Sequence, residues 1–305
     1  MADADTAMQQ LELVREAKIF DLLEGSLDPR LEASGVLAKD GLLYVIFDNL
    51  PHIACIRPGL ARAARDNYMI MQERGHSRGF EDIAYDPWRG RFYVLIESLR
   101  RGRGTYMAAV QEYDAQFRYI GSSWLNFPLD RPNKGLEGLT CLQREGQTYL
   151  LGLCEGNRCM GGAEGRVPGG GRIQVFRRGH RNWERAGKIR LPETVLFEDY
   201  SGLTVTGDRI AVISQVSSAL WLGRLASEGW QVMGAGATYA LPRDDDGNIM
   251  YGTAEGVSWI GPDQVVMCSD TVKPEQDRRC RAKDQSIHIF RIPNPPYPIP
   301  ATGSR

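Results

Sequence analysis

Several things are scarce in this 305-residue chain, and each scarcity excludes something. Its 37 Lys and Arg are matched by 38 Asp and Glu, a formal charge of −1. Bulk charge therefore draws it to neither nucleic acid nor any other polyanion. No apolar run approaches the 18 or so residues that a membrane helix needs, so no membrane span is expected. Met1 to Gln10 is polar and acidic, with no basic-then-apolar leader pattern, so no secretory signal is expected there and no compartment is assigned. Six cysteines are too few for a disulfide scaffold. Cys55 and Cys141 lie within apolar strand patterns and read as core thiols. Cys154 and Cys159, and likewise Cys268 and Cys280, bracket a strand end and the following loop; two local disulfides, one crosslink between loops or free thiols all fit. Histidines number four, and no G-x-S-x-G nucleophile elbow occurs.

What the chain does have is a repeat. Five segments share one wording: Glu32-Ala-Ser34-Gly-Val, Phe80-Glu81-Asp-Ile-Ala, Leu136-Glu137-Gly-Leu-Thr, Tyr200-Ser201-Gly-Leu-Thr and Ala254-Glu255-Gly-Val-Ser. From Ser34 to Glu81, Glu137, Ser201 and Glu255 the intervals are 47, 56, 64 and 54 residues, a constant core with loops of variable length. After each motif come a short apolar strand, a Gly or Asp turn and a second, β-rich strand. Those second strands are expected at Leu42–Phe47, Phe92–Ile96, Tyr149–Leu153, Ile210–Ile213 and Gln264–Met267. Helical periodicity is largely absent, apart from a short helix expected near Met8–Arg15.

Four antiparallel strands repeated about an axis describe an all-β fold, a single five-bladed β-propeller. The blades fall at approximately 31–75, 76–130, 131–192, 196–243 and 250–292. The last stops after its third strand, so the N-terminal run Ala17–Leu23 is expected to supply the fourth. Two stacked β domains are the competing architecture.

In a propeller the innermost strands line a central channel. Ser34, Glu81, Glu137, Ser201 and Glu255 open those strands, so they should converge near one mouth. Three buried carboxylates repel one another and need positive compensation. A hard divalent cation would supply it: calcium takes six to eight oxygen ligands in irregular geometry, whereas zinc favours His and Cys. Alternatively these are turn residues bonded to backbone amides, with Arg78 or Lys134 as counter-ions. Each second strand ends at the same mouth in a polar residue: Asp48, Glu97, Glu155, Gln215 and Asp270. The loops beyond are rich in guanidinium, including Arg100, Arg103 and Arg158. Acids around a cation, rimmed by Arg and Lys, suit a small anionic substrate, and His76 is a candidate proton shuttle. Gly161–Gly171 reads as a flexible flap or disordered insert.

This wording, and Asn133-Lys134-Gly135-Leu136-Glu137-Gly138-Leu139 above all, resembles bacterial propellers of the SdiA-regulated and esterase-like phytase type. The order Ser, Glu, Glu, Ser, Glu is similar to the calcium-ligand order of the five-bladed calcium-activated nucleotidases (apyrases). That resemblance implies one Ca²⁺ on Ser34, Glu81, Glu137, Ser201 and Glu255. The expected function is hydrolysis of a phosphate-bearing or other small anionic ester at the mouth. Asp48, Glu97, Glu155, Asp270 and His76 would be catalytic, and Arg78, Lys134, Arg100, Arg158 and Gln215 would bind substrate. A non-enzymatic binding propeller with structural calcium is the alternative, and lyase or isomerase chemistry on a carbohydrate or carboxylate stands below it.

Overall fold

The computed structural model describes residues 8–23, 30–71, 79–102, 104–129 and 135–297. Twenty strands account for nearly all its regular structure. Strand β1 spans Glu12–Lys18, and β2–β5 span Ala33–Lys39, Leu42–Phe47, Ile53–Ile56 and Tyr68–Ile70. Next come β6–β9 at Phe80–Asp86, Arg91–Arg100, Tyr106–Tyr113 and Tyr119–Asn126, then β10–β13 at Leu136–Arg144, Gln147–Cys154, Arg172–Arg178 and Trp183–Arg190. Strands β14–β17 cover Gly202–Thr206, Arg209–Ser214, Ala219–Leu225 and Val232–Ala240, and β18–β20 cover Ala254–Trp259, Gln264–Ser269 and Ser286–Arg291.

Each strand pairs antiparallel with the next within its set, as the short Gly and Asp turns dictate. Three sets form separate four-stranded sheets. The sets β6–β9 and β10–β13 join into one eight-stranded sheet through a two-residue parallel pairing, Trp183 with Leu125 and Glu184 with Asn126. The first strands pack side by side in the order β2, β6, β10, β14, β18 and back to β2, a propeller-like closure. Distinct apolar clusters fill the spaces between neighbouring sets. One joins Ile46 and Phe80, another Leu136 and Ala84, another Leu153 and Leu203, another Leu220 and Val257, and another Val266 and Val36. Among the described residues no helix is long and apolar enough to cross a membrane.

The recurring Gly after the motif residue has a steric cause. A Cβ on Gly35 would lie 2.8 Å from Asp82 Cα, one on Gly138 2.9 Å from Leu203 N, and one on Gly256 2.5 Å from Val36 N. Adjacent inner strands approach too closely there for any side chain. The second repeat has Asp82 in that place, and its buried carboxylate crosses to accept the Leu139 N–H at 2.7 Å, with Ile83 N–H at 2.8 Å on the other oxygen.

The N-terminal segment completes the sheet of β18–β20, as expected, but with different bounds. Glu12–Lys18 is the strand and pairs with β20, so the helix expected near Met8–Arg15 does not form. Ile19–Leu22 turns instead into a short helix, where the strand was expected to continue, because Ile19 and Leu22 then bury on one face. The free edge of β20 offered a ladder of hydrogen bonds, and that tertiary pairing outweighed local propensity.

This closure is bolted by Glu16. Its carboxylate accepts from Lys283 Nζ, lies 3.1 Å from His288 Nδ1, and accepts the Tyr251 hydroxyl at 3.3 Å. The His288 hydrogen bond, opposed by burial and helped by Lys283, holds the carboxyl at about 2, against an ordinary 4.5. Burial pushes His288 below its ordinary 6.5, although Glu16 opposes this. Both signs agree: the native state takes up fewer protons than the unfolded chain, so stability falls as the pH drops below 6.5 and again from 4.5 towards 2. Glu16→Gln is expected to remove the lower step, on the order of 2 kcal/mol, read as urea midpoints across that pH range. An unchanged acid limb would mean that the bolt contributes nothing.

Candidate functional site

The motif residues occupy irregular points in otherwise regular strands. The ladder between first and second strands shifts register between Ala33 and Gly35, Phe80 and Ile83, Leu136 and Gly138, and Ala254 and Val257. Ser34, Glu81, Glu137 and Glu255 lie in these bulges, which re-aim side chains that a flat ladder would direct along the sheet normal. The acids ending the second strands are fastened beside them by one repeated bond. Asp48 N–H donates to Glu32 O at 2.8 Å, Glu97 to Gly79 O at 3.0 Å, Glu155 to Gly135 O at 3.2 Å and Asp270 to Thr253 O at 2.9 Å. Each acceptor stands two residues before its motif residue.

The result is a cavity of about 240 Å³ lined by seven carboxylates. Glu81, Glu137 and Glu255 come from first strands, and Asp48, Glu97, Glu155 and Asp270 from second-strand ends. Tyr200, Ser201, Gln215 and Lys273 complete it. Burial, then Glu137, Glu97, Asp48 and Glu255, push the Glu81 carboxyl well above the usual range. Burial and Asp270 do the same to Glu255, with Lys273 pulling the other way. Burial raises Asp270 to about 6, although the Thr271 N–H and Lys273 favour its charged form.

Two hydroxyls behave alike. Ser34 Oγ donates to Phe80 O and Ser201 Oγ donates to Ala254 O at 3.0 Å, each tying its strand to the residue before the next strand's glutamate. Ser201 also borders the cavity, whereas Ser34 is buried away from it.

A second cleft of about 340 Å³ opens alongside, sharing Glu155, Gln215 and Lys273 with the first. Its walls include Met160, Gly161, Gly162 and Arg166 on one side and Asp199, Glu275 and Gln276 on the other. The glycine-rich wall is built rather than loose, in contrast to the flap expected from composition. Asn157 Nδ2 donates to Gly165 O and Phe197 O, both at 3.0 Å, while its Oδ1 accepts from Gly170 N and Tyr200 OH at 2.8 and 2.9 Å. The Cys154–Cys159 disulfide closes the base of the same loop, whereas Cys268 and Cys280 are free thiols. The glycines are required: a Cβ on Gly156 or Gly165 would lie 2.1 Å from Met160 O.

The substrate-side arginines do not gather here. Arg100 is the exposed end of β7, in a hairpin strand where a loop was expected, and Arg158 is exposed with its N–H held by Gly170 O at 2.7 Å. Neither borders either cavity, because both extend outward from their backbone positions. His76, Arg78, Arg103 and Lys134 lie outside the described residues.

Among the described residues, a cation that reaches the carboxylates escaped the sequence reading. Lys273 Nζ lies 3.7 Å from Asp270 Oδ2 and 3.9 Å from Glu255 Oε1. Burial alone would lower its pKa, but Glu255, Asp270, Glu137 and Glu81 raise it to about 12. Its only signal was its place three residues after Asp270, in the long loop between β19 and β20. Nor did sequence suggest that Ser269, His288 and Glu16 would line up, with Ser269 Oγ 2.9 Å from His288 Nε2. Ser269 and His288 are fully buried and border neither cavity, so this line of groups acts as a structural tie.

Among the described residues, no three His, Cys, Asp or Glu side chains form a ready-made metal cluster. The donor chemistry of the cavity is nevertheless that of a hard cation: carboxylates, a serine hydroxyl and an amide oxygen, with no His or Cys in the described lining.

Comparison with known proteins adds fold-level neighbours. No family model matches the chain, and no curated protein matches it significantly. Among solved structures, a glutaminyl cyclase from Myxococcus xanthus is 10% identical with a TM-score of 0.49, over 93% of this chain and 96% of that one. A GH43 β-xylosidase/α-arabinofuranosidase from a compost metagenome is 8% identical with a TM-score of 0.49, over 91% and 95%. A PQQ-bound aldose sugar dehydrogenase from Streptomyces coelicolor is 11% identical with a TM-score of 0.46, over 91% and 98%. At such identities none of their activities transfers to this chain.

Proposed function

We propose that the chain is a five-bladed propeller, with the eight-stranded sheet counted as two adjoining blades, whose carboxylate-lined mouth binds calcium. It hydrolyses a phosphate-bearing or other small anionic ester held in the adjoining cleft. The observation that carries this reading is the crowding of seven carboxylates around a cavity of about 240 Å³ with Lys273 as the cation beside them. Such an arrangement is costly unless a stronger positive charge enters.

Glu81, Glu137, Glu255 and Ser201 would hold the ion, and Ser34, which does not border the cavity, would join them only by turning a lone pair towards it. Calcium bound there supplies a Lewis acid for a phosphoryl or carbonyl oxygen. Asp48, Glu97, Glu155 and Asp270, nearest the mouth, orient water and accept its proton. Gln215, shared by both cavities, positions the substrate, and Arg166 in the cleft wall supplies the anion contact assigned from sequence to Arg100 and Arg158. His76, Arg78 and Lys134 keep the roles expected of them from sequence.

A second reading has an observation of its own. The two cavities together carry ten acids against Lys273 and Arg166 in their described linings, a field that draws organic cations as well as metal. A binding propeller that captures such a ligand would use the same walls without turnover. A panel of phosphate monoesters and carboxylic esters, assayed in calcium buffer and in chelator, separates the two. The hydrolase reading expects turnover that falls at least tenfold in chelator. It also expects Glu155→Gln to lose turnover while keeping its calcium-dependent melting. No hydrolysis of any ester, with a bound amine instead protecting the fold, would favour the binding module.

A further inference from the structure

The residue beside the acids sits on a loop with two unequally anchored halves. Residues 271–285 join β19 to β20. The second half is locked to the closure: Lys18 Nζ donates to Arg281 O at 2.8 Å and pairs with Asp284 at 2.7 Å, while Lys283 pairs with Glu16. The first half, Thr271–Gln276, is held more lightly. Lys273 N–H donates to Gln276 Oε1 at 2.8 Å, and Gln276 Nε2 donates to Gly252 O at 2.9 Å. Its other contacts with the body include the Lys273 ammonium, a 2.5 Å bond from Thr271 N–H to Asp270 Oδ1 and a 3.3 Å bond from Val272 N–H to Asp284 Oδ2. The Lys273 side chain is half-exposed and borders both the carboxylate cavity and the cleft, so its head can reach either, and its release from the acids removes one of the ties that hold this half of the loop.

A lysine ammonium and a divalent ion compete for Glu255, which Lys273 contacts and the calcium reading makes a ligand. The ammonium carries one charge, and its separations of 3.7 and 3.9 Å are long for a hydrogen-bonded pair. Calcium carries two charges and binds carboxylate oxygen at about 2.4 Å. Coulomb attraction scales with charge over distance, so the metal displaces the lysine wherever both compete for the same oxygens.

We propose that Lys273 is a tethered counter-cation: it sits against Glu255 and Asp270 in the metal-free protein, and the entering divalent ion expels it into the adjoining cleft. There the freed ammonium joins Arg166 as an anion-binding group. Metal binding and preparation of the substrate cleft are thereby one event, and Lys273 sets the metal affinity by competing for the ligands. This inference rests on the calcium reading of the mouth.

The test is calcium binding by calorimetry at low ionic strength, on the native chain, Lys273→Gln and Lys273→Arg, together with hydrogen exchange of the Val272, Lys273 and Gln276 amides. Lys273→Gln should bind calcium at least tenfold more tightly than the native chain, and Lys273→Arg should bind as the native chain does. In the native protein, calcium should speed exchange at those three amides. Equal calcium affinity in the native chain and Lys273→Gln overturns the inference and leaves the metal site standing. Absence of calcium binding in all three chains overturns the metal reading and this inference with it. If Lys273→Gln does not fold without metal, exchange in the native protein decides: unchanged protection of the loop on calcium addition overturns the proposal.

Discussion

Calcium added to chelator-treated protein should raise the melting temperature by on the order of 5 °C, and Glu81→Gln should abolish that rise while itself stabilising the metal-free chain. A ligand that binds only the folded state stabilises it by about 2.7 kcal/mol at a hundredfold excess over Kd. For a chain of this length each kcal/mol corresponds to about 2 °C. The sign for Glu81→Gln is set by its surroundings. Burial, Glu137, Glu97, Asp48 and Glu255 all raise the Glu81 carboxyl above its ordinary 4.5, and they outweigh the attraction between Glu81 and the Lys273 ammonium. Its charge therefore works against the metal-free fold, and neutralising it should stabilise that state by on the order of 1 kcal/mol.

The pH dependence follows from the same shift. A carboxyl whose folded pKa is raised stabilises the native state below the unfolded value and loses that contribution as pH climbs through the folded one. The cavity's share of metal-free stability should therefore decline from about pH 4.5 upward, through the Asp270 range near 6, against the rise that His288 contributes up to 6.5, while in calcium-loaded protein that share holds level. Differential scanning calorimetry in chelator and in calcium, with elemental analysis of untreated protein, checks all of this. Absence of both bound metal and a shift would make the seven acids a self-contained hydrogen-bonded scaffold, and the search would move to ligands of the cleft.

Gly202→Ala should be among the most damaging added methyls in the described residues, lowering stability by about 3 kcal/mol. An added Cβ there would lie 2.1 Å from the Glu255 carbonyl oxygen and 3.0 and 3.1 Å from the Ile213 side chain. A flexible tip could swing aside, but a backbone carbonyl within an inner strand can yield only if β18 moves as a whole. The displaced residue is Glu255 itself, so calcium affinity should fall together with stability. Gly121→Ala is the control, since its Cβ meets nothing within 4 Å, and the change should be neutral. Urea midpoints for the two variants give the comparison; equal midpoints would mean that the inner strands are not packed as described.

Much of this was legible because it is local. A turn signal and an alternating strand need only their own residues, so the second strands at Leu42–Phe47, Ile210–Ile213 and Gln264–Met267 match the structure within a residue or two. The recurring motif was equally legible, because each copy meets the same steric demand from its neighbour. At Gly35, Gly202 and Gly256 only hydrogen fits, and the residue before the glycine opens an inner strand. Placing Asp48, Glu97, Glu155 and Asp270 beside those motifs needed only antiparallel pairing, a geometry with one outcome.

What depended on contacts between distant segments was not legible. The edge of β20, some 270 residues away, turned Glu12–Lys18 into a strand and left Ile19–Leu22 to coil into a helical turn. Asn157 became the hub of a rigid wall because Gly165, Gly170, Phe197 and Tyr200 converge on it, and composition suggested only looseness. Arg100 and Arg158, expected at the rim, are exposed and border neither cavity, since a charged side chain follows solvent unless something holds it. Lys273 was held, by carboxylates from two strands of its own sheet. Periodicity and turn chemistry determined the strands and the ring of acids. Which cation answers those acids was decided only by the folded loop, because electrostatic compensation depends on distances through space that sequence spacing does not encode.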